Sequence, residues 1–318
     1  MMRVFLFVML MIISICILPS KEGQASIDVS ANNAVLIELN TGEILFEKQA
    51  HEIQSIASIT KLMTAIIAIE SNKMDEEAVT SRRAIYTEGS SIYLEQGEKM
   101  TIRDLVYGLM LRSGNDAAVA ISEHIGGSVE GFVYLMNEKA SWLGMTRTNF
   151  TNPHGLEDDN HYSTAYDMAL LMRYAMNNPQ FVEISGTTAY RSDKRSYSWF
   201  NKNKLLTKLY EFCTGGKTGY TRKAGRTLVS SAAKNGHHLI AVTLNAPNDW
   251  NDHINMFEWG FNYLDERTFE EIQTEEELYE FPFMSESVKV PVFDADEPKK
   301  TDILSLLPGI IKRMLGMM

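Results

Sequence analysis

The chain has 318 residues, 45% of them hydrophobic, enough for one large domain or a domain with an appendage. A formal net charge of −11 disfavours general binding to nucleic acid or to anionic lipid, so no nucleic-acid partner is expected. Two cysteines, Cys16 and Cys213, allow no disulfide framework.

Arg3 precedes an apolar run from Val4 to Leu18 that only Ser14 interrupts. Pro19 and Ser20 end it, and Gly23-Gln24-Ala25 offers a cleavage point before Ser26. This layout predicts a signal peptide over residues 1–25; the run is short of the ~20 residues of a membrane span. Ile15 before Cys16 argues against a lipoprotein signal. Residues 1–25 carry Arg3 and Lys21 against Glu22, so the exported chain would stand at −12 with Cys213 as its one cysteine. Cys213 reads as a packed apolar residue rather than a nucleophile.

Ala34–Leu39 and Glu43–Glu47 flank Asn40-Thr41-Gly42 and predict a hairpin. The middle of the chain is helical. Ser58 opens a run with Leu62, Met63, Ala65, Ile66 and Ile69. Thr101 caps a second run with Asp104 placed for a capping box, and Asn115 leads a third that ends at Gly126-Gly127. Phe132, Leu135, Met136 and Trp142 mark a fourth, and Thr164 caps a fifth with Asp167 at the same offset. A second hairpin follows, Arg226–Ala232 and His238–Leu244 around Asn235-Gly236. Strands from both ends should close into one antiparallel sheet with helices packed on it, a mixed α/β (α+β) fold with a mostly helical insert.

From Thr268 the composition turns Glu-rich. It then passes through Lys289–Phe293 to a terminal segment with apolar residues from Ile303 to Leu315 on one helical face. Pro308-Gly309 breaks any single helix there. This segment (303–318) either docks on its own domain or makes a peripheral membrane contact.

Three fragments carry the chemistry, in the order Ser58-Ile59-Thr60-Lys61, Ser113-Gly114-Asn115 and Lys217-Thr218-Gly219. They supply a nucleophilic hydroxyl, two ammonium groups, further hydroxyls and a carboxamide, the parts for covalent acyl transfer without a metal or other cofactor. Ser-x-x-Lys alone is weak, since about one chance match is expected in such a chain and Ser231-Ala232-Ala233-Lys234 also fits. Helical spacing puts Ser58 and Lys61 on one face, whereas Ser231 lies in a strand entering a turn. Locally, Ser58 could equally be a helix N-cap. The rarer second and third fragments favour the nucleophile.

With longer stretches such as Leu109–Ala118, Asn152-Pro153-His154-Gly155-Leu156 and Gly216–Thr221, the chain from about Ser26 to Phe261 resembles the serine D-alanyl-D-alanine carboxypeptidases. These are the low-molecular-mass penicillin-binding proteins, and the sporulation-associated type fits well. The resemblance implies a β-lactamase/transpeptidase-like fold, with a catalytic domain over 26–267 and a short remnant over 268–318 where relatives carry a second domain. It implies Ser58 as nucleophile and Lys61 as its base, with Ser113 and Asn115 facing them. Lys217, Thr218, Gly219 and Tyr220 would line the substrate wall, the N–H groups of Ser58 and Tyr220 forming the oxyanion hole. The implied partners are a peptidoglycan stem peptide as substrate and β-lactams as covalent inhibitors. The implied location is extracytoplasmic, at the cell wall or the outer face of the cytoplasmic membrane. It leaves open whether Arg222 or Arg226 meets the substrate carboxylate. A β-lactamase would need a water-activating Glu, for which Glu157 with Asn160 is the local candidate. His154 and His161 lack a third ligand at metal-site spacing.

Overall fold

The computed structural model describes residues 27–279, with side chains through Phe269. The expected signal peptide, the 289–293 strand and the 303–318 segment lie outside these residues. Of the described residues, 27–271 group into one compact unit.

β1 (Asn33–Glu38) and β2 (Ile44–Lys48) form the first expected hairpin. β3 (Glu77–Val79) pairs with β4 (Lys99–Thr101), and β5 (Ala189–Tyr190) with β6 (Trp199–Phe200), as two small sheets. β7 (Cys213–Thr221) precedes the second expected hairpin, β8 (Gly225–Lys234) with β9 (His237–Leu244). The main sheet runs β2-β1-β9-β8-β7 with every pairing antiparallel, so strands from both ends of the body meet at β1 and β9.

β1 is buried along its whole length because both faces of the sheet are covered. Val35 and Ile37 join the core of the central helices, while Ala34 and Leu36 pack with Phe257 and Phe261 of the helix Asp249–Tyr279. This is the two-residue alternation of a strand, with an apolar layer on each side.

The central helices start where their caps predict. Thr101 Oγ1 accepts from Asp104 N at 3.1 Å, and Thr164 Oγ1 from Asp167 N at 3.0 Å. The reciprocal half of the capping box at Thr101 does not form. Asp104 is shorter than the Glu or Gln such a box uses, and its carboxylate accepts instead from Tyr190 O–H at 2.6 Å.

Candidate active site

Ser58 sits in a tight turn, Ala57–Thr60, that feeds the helix Lys61–Glu70. The cap position is Ile56 and no side chain caps the turn, so Ser58 is not an N-cap. Ala57 has φ 49°, a left-handed conformation that costs a non-glycine residue about 1–3 kcal/mol. The surroundings hold it there. Thr60 Oγ1 donates to Ala57 O at 2.7 Å and Thr227 Oγ1 to Ile56 O at 3.0 Å. Gly155, at φ 85°, packs so closely that a Cβ would stand 1.9 Å from Ala57 O.

Lys61 is fully buried, and its Nζ donates to Ser58 Oγ at 2.9 Å, Asn115 Oδ1 at 2.7 Å and His154 O at 2.6 Å. Burial pushes its ammonium well below the usual lysine range; the charges of Lys217 and Lys202 push the same way, and Asp116 opposes them. Two of the three contacts, a carboxamide oxygen and a backbone carbonyl, can only accept. A neutral Lys61 therefore gives both its N–H bonds to them and turns its lone pair to the Ser58 hydroxyl.

Ser113 follows a wide helical turn, Gly108–Arg112, and its φ of 66° aims it back into the site. Lys217, 2% exposed on β7, donates to Ser113 Oγ at 3.1 Å and to Thr218 O at 2.8 Å. Burial, aided by the charge of Lys202, lowers its ammonium to about 7. A Cβ on Gly219 would meet Ser58 N at 2.9 Å and Thr227 Oγ1 at 2.4 Å. Glycine there lets β7 lie against the nucleophile turn.

All three fragments thus converge. Ser58, Ser113, Thr218, Gly219 and Tyr220 line one cavity of about 330 Å³. Ser90, Lys202, Arg226, Asp249 and Trp250 complete its wall. Of these, the sequence pointed only to Arg226, and Arg222 is not among the lining residues. The others come from separate segments with no local pattern to mark them. A larger cavity of about 620 Å³ between Leu205–Phe212 and Ile254 gathers no comparable chemistry.

The rival candidates are engaged elsewhere. Glu157 Oε1 accepts from Lys223 N at 2.9 Å, which ties it to the turn after β7. Ser231 Oγ pairs with Thr214 Oγ1 at 2.7 Å, and Lys234 with Glu258 at 2.9 Å. His161 Nδ1 accepts from Thr151 N at 3.1 Å, so its Nε2 donates to Thr60 Oγ1 at 2.8 Å. His154 Nδ1 accepts from Leu156 N at 3.2 Å, and burial lowers its ring to about 3. Cys213 is buried, which raises its thiol to about 11.

A profile described as D-alanyl-D-alanine carboxypeptidase, peptidase S11, matches residues 20–248. The D-alanyl-D-alanine carboxypeptidase DacF of Bacillus subtilis is 38% identical over 235 residues, covering 71% of this chain and 60% of that protein. DacB2 of Mycobacterium tuberculosis is 32% identical over 74% of this chain and 83% of its own. The chain thus spans less than two thirds of the Bacillus relative. Among solved structures, a D-alanyl-D-alanine carboxypeptidase of Mycobacterium tuberculosis aligns with TM-score 0.72 and 31% identity, over 76% of this chain and 95% of that one. A variant of the Streptomyces K15 DD-transpeptidase aligns with TM-score 0.70 and 29% identity, over 74% and 99%. The β-lactamase/transpeptidase-like fold expected from the motifs is the fold these neighbours share, and the chain belongs to the peptidase S11 family of D-alanyl-D-alanine carboxypeptidases.

Proposed function

We propose that the protein is a serine-type D-Ala-D-Ala carboxypeptidase that removes the terminal D-alanine from peptidoglycan stem peptides. The observation that carries this reading is the contact set of Lys61 Nζ, with two pure acceptors and the Ser58 hydroxyl. Neutral Lys61 takes the Ser58 proton as Oγ attacks the carbonyl between the two D-alanines. The N–H groups of Ser58 and Tyr220 receive the developing oxyanion. Ser113, held by Lys217, relays the proton from Lys61 to the departing amine, which restores neutral Lys61, and free D-alanine leaves. Water, with Lys61 again as base, hydrolyses the ester on Ser58. Asn115 holds the substrate amide, and Thr218 with Arg226 meets the terminal carboxylate. Arg226 Nε is braced by Asp249 at 3.2 Å. β-Lactams acylate the same serine.

The substrate requires an extracytoplasmic site of action, reached by cleavage of residues 1–25. A membrane contact through 303–318 and a role in sporulation rest on the sequence pattern and the motif resemblance alone. Incubation with a D-Ala-D-Ala pentapeptide, with cross-linked muropeptides and with benzylpenicillin tests the reading. Expected are free D-alanine from the first and an intact-protein mass gain from the third, mapped to Ser58. Rapid turnover of penicillin without peptide cleavage would indicate a β-lactamase. Cleavage of cross-links alone would indicate an endopeptidase.

A further inference from the structure

Asp116 follows Asn115 and is 2% exposed. Its carboxylate accepts from Ile92 N at 3.1 Å, Leu94 N at 3.1 Å, Ser91 Oγ at 2.6 Å and its neighbour Ala117 N at 2.9 Å. Every one of these partners donates, so the group serves as an acceptor-only carboxylate. Ser91 Oγ in turn accepts from Tyr93 N at 2.7 Å and helps hold Tyr93 at φ 61°, a strained left-handed conformation for a tyrosine. One aspartate thus gathers the loop from Ser91 to Leu94.

Ser90, next to that loop, holds the backbone of Asn115, and Glu88 just ahead of it holds the carboxamide. Ser90 O accepts from Asn115 N at 2.7 Å, and Glu88 O accepts from Asn115 Nδ2 at 2.5 Å. With Nδ2 on a carbonyl, only Oδ1 is left to face Lys61 Nζ. A flipped carboxamide would point donors at a donor.

We propose that Asp116 is a positioning residue for acyl transfer: by gathering residues 91–94 it anchors the segment from Glu88, whose carbonyl fixes the Asn115 carboxamide with Oδ1 on Lys61. The inference rests on the proposed use of Ser58 and Lys61. Its charge has a second effect. Of the groups facing Lys61, Lys217 and Lys202 disfavour its ammonium, His154 is neutral at working pH, and Asp116 favours the ammonium. Removing the Asp116 charge lets Lys61 become neutral at lower pH, so the acid limb of acylation moves down.

The test measures acylation of Asp116→Asn and Ser91→Ala by a fluorescent penicillin from pH 5 to 9, with melting curves alongside. A misplaced base commonly loses up to about 10²-fold in rate, so Asp116→Asn should lose roughly 10- to 100-fold at its plateau. Its acid limb should shift to lower pH. Ser91→Ala keeps the charge and should slow acylation less, with the limb unmoved. A wild-type plateau in Asp116→Asn, or a lowered melting temperature with an unshifted limb, overturns the proposal. If that variant does not fold, Ser91→Ala decides: a wild-type rate refutes the proposal and a slower rate supports it. A wild-type protein that is not acylated on Ser58 would instead refute the proposed function, and this inference with it.

Discussion

Replacing Lys217 by methionine should inactivate the protein and shift its stability relative to wild type in favour of the variant as pH falls from about 10.5 to about 7. The Lys217 ammonium is buried against two neutral oxygens, Ser113 Oγ and Thr218 O. Its fall from 10.5 to about 7 on folding corresponds to about 5 kcal/mol against the charged form. Methionine fills much of the same stem without charge, but leaves those two oxygens short of a donor at about 1–3 kcal/mol each. The net change at acid pH therefore runs from a loss of about 1 to a gain of about 3 kcal/mol, the latter up to about 10 °C in melting temperature. The pH dependence is the sharper test. Between about 7 and 10.5 the unfolded lysine holds a proton that the folded one has lost, so wild-type stability rises with pH there. The slope is up to about 1.4 kcal/mol per pH unit. The folded-state penalty is complete below about 7 and fades as pH climbs towards 10.5. Removing the Lys217 charge also relieves Lys61, with the same sign. Urea unfolding at pH 6, 7.5 and 9 should therefore show the variant's stability relative to wild type falling steadily. A difference that does not change with pH would refute the account of Lys217 as a buried cation held at a cost.

Three further outcomes are expected. Ser58→Ala should abolish labelling by a fluorescent penicillin, whereas Ser231→Ala, whose hydroxyl pairs with Thr214, should label normally. Gly155→Ala places a Cβ 1.9 Å from Ala57 O at a positive φ, so the nucleophile turn must shift; acylation should fall by up to about 10²-fold, read by stopped-flow kinetics. Glu157→Gln should leave the decay rate of the penicilloyl-enzyme nearly unchanged, because Glu157 faces Lys223 N rather than the Ser58 ester; a large change would revive its role as a water-activating base.

The two hairpins were legible because turn residues and apolar alternation act over a few positions, and the registers Val35 to Glu47 and Ser230 to Ala241 follow from them, whereas the pairing of Val35 with Val242 joins distant parts of the chain. Helix starts were legible for the same reason at Thr101 and Thr164. The partners of the capping aspartates were not: Asp104 answers to Tyr190, and Asp167 to Arg147 N and Thr148, across the fold. The site divides along the same line. Ser-x-x-Lys spacing puts an amine beside a hydroxyl, and that much is local geometry.

Whether the amine can act as a base is not local. It depends on burial by the helical insert, on the Lys217 charge brought in by β7, and on a carboxamide steered from Glu88. Ser90, Lys202, Asp249 and Trp250 reach the cavity the same way, from segments that share no motif. The 91–94 loop shows the limit most clearly. Its residues carry no pattern of their own, and its meaning comes from one buried carboxylate. A motif therefore marks which atoms react, while the state in which they react is set by residues that local spacing cannot reveal. That is why the variants of Lys217 and Asp116 probe this site more deeply than loss of Ser58 does.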